Sequence, residues 1–178
     1  MQKKNKAQVW VETAIYTLIG LTIIAIVLAV AVPQINKIKD KSVITQTIDA
    51  LNTLDNKLLE IQQAPGNIRI IYFKLAKGKI EIDSENDKII YSLENTNLEL
   101  SEPGEEIREG NIVLKTEKYG RNFNIFLTLD YSEDLDLTYK TQQQNQILQS
   151  GSADYKIKLE NPGDSRIDEK IHLDLDIL

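Results

Sequence analysis

The hydrophobic rhythm of the chain changes twice. From Ala14 to Val32 there are 19 consecutive residues without a formal charge, nearly all of them apolar. As a helix this run spans about 28 Å at roughly 1.5 Å per residue, close to the ~30 Å hydrocarbon core of a bilayer. Beyond Pro33 the apolar positions thin to a helical stripe: Ile35, Ile38, Ile44, Ile48, Leu51, Leu54, Leu58 and Ile61. Asn36, Lys37, Lys39, Asp40, Lys41, Gln46, Asp49 and Asn52 fill the positions between. A proline within a helix removes one hydrogen bond and bends the axis. The spacing therefore predicts one long helix, kinked at Pro33 and stopped by Pro65-Gly66. The stripe needs a cover, and the chain's own C-terminal part is expected to supply it.

From Ile68 the period becomes two. Strands are predicted over Ile68–Leu75, Lys79–Ile82, Lys88–Leu93, Asn97–Leu100, Asn111–Lys118, Asn122–Leu129, Leu135–Lys140, Tyr155–Leu159 and Lys170–Ile177. Turn signals separate them, among them Lys77-Gly78, Ser84-Glu85-Asn86-Asp87, Glu102-Pro103-Gly104, Ser150-Gly151-Ser152 and Asn161-Pro162-Gly163-Asp164. The clearest hairpin turns at Tyr119-Gly120-Arg121, while Gln142–Gln149 reads equally as loop or strand. The expected class is α+β, a long N-terminal helix followed by an antiparallel, β-rich and sandwich-like domain, or by one sheet wrapped on the helix. Residues 8–64 make the helix, apolar over 8–32 and amphipathic over 33–64, and residues 65–178 make the β-rich domain.

Composition narrows the chemistry. With 27 acidic and 21 basic residues the net charge is −6, which argues against nucleic acid as a partner. The clear basic cluster, Lys3, Lys4 and Lys6, precedes the apolar run. Placed there, it is expected to hold the N-terminus on the cytoplasmic side and send the C-terminal domain outward. The chain has no cysteine, hence no disulfide framework, thiolate metal site or cysteine nucleophile. Its one histidine, His172, lies in an alternating run near the C-terminus, so a histidine-based metal site or catalytic triad is not expected. Asn-x-Ser/Thr sequons are absent. The i, i+2 pairs Asp134/Asp136 and Asp174/Asp176 put two carboxylates on one strand face, where a cation could bind. Their alternation with leucines favours a solvated outer face instead, and nothing resembles a calcium loop. Phosphate-binding loops and nucleophile elbows are absent, so no catalytic residue, cofactor or metal site is expected.

One acid, Glu12, stands immediately before the apolar run, and three readings of the N-terminus treat it differently. A secretory signal peptide has a basic head and an apolar stretch, and Ala29-Val30-Ala31 offers a small-x-small cleavage site. That reading leaves a run longer than the usual 7–15 residues and an acid at its front. A plain uncleaved anchor explains the lysines and the run but makes Glu12 incidental. The third reading uses every residue. The stretch Lys4-Asn5-Lys6-Ala7-Gln8-Val9-Trp10-Val11-Glu12 resembles the class III, prepilin-type signal of archaeal type IV pilins and archaellins. In that family a short charged leader ends in a small residue, glutamine is common after the cut, and a glutamate follows as the fifth residue of the mature chain. Ala7 and Gln8 match the processing site, Glu12 matches the acid, and Thr13–Val32 matches the hydrophobic helix. Trp10 departs from the pattern by its bulk.

This resemblance, which covers roughly residues 3–60, implies a leader of residues 1–7, removed by a membrane-embedded prepilin peptidase. It also implies an ATPase-powered assembly machinery that draws subunits out of the bilayer into a homopolymeric filament. Cleavage after Ala7 would create an ammonium on Gln8, costly to place unpaired in an apolar bundle, and Glu12 of a neighbouring subunit would neutralise it. The expectation is therefore a structural, non-enzymatic subunit of a surface filament for adhesion or surface contact. A monomeric membrane-anchored β domain (a binding module or a minor pseudopilin) and a secreted β domain are the alternatives.

Overall fold

The computed structural model describes residues 3–151, 154–163, 166–167 and 170–178, with side chains described from Val9 onward except those of 166–167. Ser152 and Asp164, placed in turns by the sequence, lie outside the described residues. The chain divides into two compact units, Met1–Lys39 and Asp40–Leu178.

Helix α1, Lys3–Gln62, runs through Pro33 without interruption. The missing proline N–H costs only the bond to the carbonyl four residues earlier, and the helix continues because the flanking residues are good helix formers. It stops three residues before Pro65, and its last carbonyls are capped from the β domain. Asn161 Nδ2 donates to the Ile61 and Gln62 carbonyls at 2.8 and 3.2 Å.

The second unit carries eleven strands among the described residues: β1 (Ile68–Phe73), β2 (Lys79–Asp83), β3 (Lys88–Thr96), β4 (Glu106–Glu109), β5 (Ile112–Tyr119), β6 (Asn122–Asp130), β7 (Leu135–Tyr139), β8 (Gln146–Gln149), β9 (Tyr155–Glu160), β10 (Arg166–Ile167) and β11 (Lys170–Ile177). Six of them form an antiparallel sheet in the order β4-β5-β6-β3-β2-β8. The other sheet has the order β1-β9-β11-β10, with β7 joined to β11 in parallel. The fold is thus α+β with a mainly antiparallel domain, as the periodicity implies.

The core lies between these sheets and the helix. Ile44, Leu51, Leu54, Leu58 and Ile61 of α1 are almost fully buried among residues such as Phe73, Ile82, Ile89, Tyr91, Ile125, Leu127, Leu159 and Leu175. Each fully buried aliphatic side chain contributes about 1.5–3 kcal/mol relative to exposure, so the stripe is what attaches the helix to the domain. The expected cover therefore holds from Ile44 onward. It does not extend to Ile35 and Ile38, which belong to the first unit and are 48% and 69% exposed.

Several strand expectations need correction. Asn97–Leu100 is not a strand, although Leu98 is buried. Asn95 takes a left-handed φ of 57° and Thr96 Oγ1 accepts the Leu98 N–H at 3.0 Å, which turns the chain out of the ladder. The undecided stretch contains β8, and the unexpected β4 pairs with β5 across the two-residue turn Gly110-Asn111.

Candidate functional site

In the first unit, α1 offers apolar side chains around its whole circumference. Trp10 is 76% exposed, and Ile15, Leu18, Ile19, Leu21, Ile24, Val27, Leu28 and Val30 are all about half exposed or more. An amphipathic helix has a wet side, whereas a helix apolar all round belongs inside a bilayer or a bundle. The helix is long and apolar enough to cross a membrane, which makes it compatible with membrane anchoring. The hydroxyls of Thr13, Thr17 and Thr22 donate to the carbonyls of Val9, Thr13 and Leu18 at 2.8–2.9 Å. Those side chains thereby hide their polar groups against the helix itself, as an apolar environment requires.

Glu12 is exposed on this helix and is the one charged residue between Val9 and Asn36. The backbones of Ala7 and Gln8 lie within α1, and their side chains are outside those described. Glu12 is thus one turn of helix from Gln8 along the same face. Pro33 lies deep inside α1, 29 residues before its last residue, Gln62.

In the second unit the helix is fastened by two buried carboxylates. Asp40 Oδ1 lies 2.6 Å from Lys77 Nζ, and its Oδ2 accepts the Thr96 hydroxyl at 2.6 Å. Asp55 Oδ1 accepts the Tyr131 hydroxyl and its Oδ2 accepts Asn111 Nδ2, both at 2.8 Å. Both aspartates are 5% exposed. They are 15 residues apart on α1, roughly 22 Å along the axis, and each reaches a different part of the six-stranded sheet. Apolar contact alone tolerates sliding, but a buried carboxylate away from its donors is costly. The pair therefore fixes the axial position of this part of the helix on the domain.

Two tyrosines near these carboxylates hold their protons tightly, chiefly because they are buried. Burial pushes the Tyr91 phenol from its ordinary 10.0 up to about 12; nearby Thr47 opposes the shift and the Asp40 charge adds to it. Burial raises Tyr131 further, helped by the charge of Asp55 and the hydrogen bond to it. Neither tyrosine was singled out by the sequence, nor was either aspartate. A usable signal existed: Asp40 and Asp55 fall on the stripe itself, four residues from Ile44 and from Leu51.

One member of each acidic pair departs from the expected solvated face, whereas Asp134 is exposed. Asp136 and Asp174 are buried. Asp174 Oδ1 accepts the Thr138 hydroxyl at 2.8 Å and the Thr141 N–H at 2.6 Å, and Asp136 Oδ1 accepts Gln143 Nε2 at 2.7 Å. The cause is the parallel register of β7 on β11, which sets Asp136 beside His172 and Thr138 beside Asp174. His172 Nε2 lies 2.9 Å from the Thr138 hydroxyl, which is already donating to Asp174, so the ring donates from Nε2. Among the described residues no group of three or more histidine or acidic side chains is arranged to hold a metal ion.

A polar cleft of about 360 Å³ lies beside Asp55, lined by Arg108, Asn111, Tyr131, Ser132 and Glu133 among others. In it the Ser132 hydroxyl donates to Asp130 Oδ1 at 2.6 Å and the Tyr131 hydroxyl to Asp55 Oδ1 at 2.8 Å. The apolar run with its one acid, Glu12, is the feature that calls for a function. No protein-family model matches the chain, and neither a curated protein nor a solved structure does.

Proposed function

We propose that the chain is a structural subunit of a surface filament of the type IV pilus kind, built through the apolar part of α1. The observation that carries this reading is Glu12, an exposed acid at the head of the run of α1 that is apolar on every side. An anchor needs no acid there, whereas a helix bundle that also takes in a free amine does. In this reading a prepilin peptidase removes residues 1–7, the new ammonium of Gln8 pairs with Glu12 of a neighbouring subunit, and assembly machinery moves the helix from bilayer to filament core. The Ala7–Gln8 bond lies in the first turns of α1, where fraying gives a peptidase an extended substrate. A buried ion pair adds little net stability, but leaving one partner alone costs about 3–5 kcal/mol, so the pair acts as a register device. The β domain then faces outward and makes the surface contacts.

The test is Glu12→Ala, scored on two pools of the protein. Sheared surface material should lose its filaments while the membrane fraction keeps the subunit. Filaments of normal yield in this variant contradict the role of Glu12 and favour a simple membrane anchor.

A further inference from the structure

The edges of the two sheets are not alike. β4, an edge of the six-stranded sheet, is a four-residue Glu-Ile-Arg-Glu segment, and β8 at its other edge is equally short. Short or charged edges discourage pairing with another chain. β1, one edge of the other sheet, has six residues, Ile-Arg-Ile-Ile-Tyr-Phe, and neither a proline nor an acid. Ile68, Ile70 and Tyr72 are 50%, 47% and 73% exposed.

The hydrogen-bond phase of the sheet shows which backbone groups are available. Asn161 donates its N–H to the Asn67 carbonyl and Leu178 donates to the Lys156 carbonyl. Antiparallel bonding alternates along a strand. In the observed register, Arg69, Ile71 and Phe73 therefore bond to β9, and the N–H and C=O groups of Ile68, Ile70 and Tyr72 point to the open edge. Among the described residues one contact touches these groups, from the Arg69 guanidinium to the Ile68 carbonyl at 3.3 Å. The residues with open backbone groups are also those with exposed apolar side chains.

We infer that β1 pairs with β1 of a second copy of this chain, antiparallel and centred on Ile70. This register joins Ile70 to Ile70 and Ile68 to Tyr72, and it uses every open group of the three residues. It also sets Arg69 of each copy directly opposite Ile71 of the other. Ile71 lines a groove of about 330 Å³ with Asp49, Ala50, Thr53 and Leu54 of α1, so Arg69 enters a groove that carries an acid. The outer faces of the two strands bring only apolar side chains together. The pairing does not depend on the filament reading, because it uses residues of the second unit alone.

The chain has no cysteine, which allows a direct test on the full chain in detergent micelles under mild oxidation. In the proposed register Ile70→Cys places two Cα atoms about 5.5 Å apart, within disulfide reach. Ile70→Cys should form covalent dimers at least tenfold faster than Ile68→Cys or Tyr72→Cys alone, and a mixture of those two should cross-link to each other. Equal rates at the three positions, or no dimer above that of Tyr119→Cys at a hairpin tip, overturn the pairing and leave the edge to another occupant. Light scattering gives a second readout. Arg69→Asp should lower the dimer fraction severalfold and the double change Arg69→Asp with Asp49→Arg should restore it; failure of the folded double variant to dimerise overturns the register. Ile70→Pro, which removes an N–H that β9 does not use, should give monomers.

Discussion

The hydroxyl of Tyr131 donates to Asp55 Oδ1 at 2.8 Å across 76 residues of sequence, tying the buried face of α1 to the end of β6. Asp55 has one other described partner, Asn111 at 2.8 Å. Tyr131→Phe removes one of two donors from a buried carboxylate and should cost about 1–3 kcal/mol. Asp55→Ala, which strands both Tyr131 and Asn111, should cost more. Urea unfolding of the detergent-solubilised chain, followed by tyrosine fluorescence, measures both.

The second fastening is asymmetric. Lys77 is half exposed and Thr96 is almost fully buried, yet both bind Asp40 at 2.6 Å. Lys77→Ala should cost about 1 kcal/mol or less, in the range of exposed ion pairs. Thr96→Val should cost about 1–3 kcal/mol, because it leaves a buried carboxylate oxygen short of a donor. Equal losses in urea unfolding would contradict this division.

Alkaline pH should release the helix. Tyr91, at about 12, and Tyr131 hold their protons more tightly in the folded chain than the ordinary 10.0. A raised folded value gives a stability contribution that is complete below pH 10 and lost as pH rises through the folded value. Phenolate absorbance from these two residues should therefore be missing at pH 10 and appear together with loss of near-ultraviolet dichroism toward pH 12. Tyr91→Phe should move that transition to higher pH, since only Tyr131 then drives it.

Gly78 is a close approach as well as a turn. Its φ is +83°, and a Cβ there would lie 2.5 Å from the Ser92 carbonyl oxygen and 2.8 Å from the Tyr91 ring. Gly78→Ala should cost more than the roughly 1 kcal/mol of a left-handed alanine alone, and Gly104→Ala, with φ +94° and no atom within 4 Å, should cost only that. A thermal melt of both variants compares them.

Much of this architecture is legible in the chain. The uncharged run, the stripe from Ile44 to Ile61 and the alternation after Ile68 mark helix and strands because each repeats one burial pattern over several turns or residues. What escapes either lacks a burial pattern or is non-local. β4 has four exposed residues and no alternation to display; it forms because Gly110, at φ +63°, lets the chain fold back on β5. Asp136 and Asp174 look like solvated positions until β7 lies parallel to β11, a pairing between segments about 35 residues apart that no local pattern encodes. Asp40 and Asp55 sit on the stripe, but their role is hidden because their donors, Lys77, Thr96, Asn111 and Tyr131, lie far along the chain. In the candidate site itself, Glu12 stands out in sequence because a charge in an apolar run is visible without a fold.

The most direct measurement is the intact mass of the protein recovered from native membranes and from sheared surface material. The filament account predicts a chain that begins at Gln8. A chain beginning at Val32, or one that retains Met1, would contradict it.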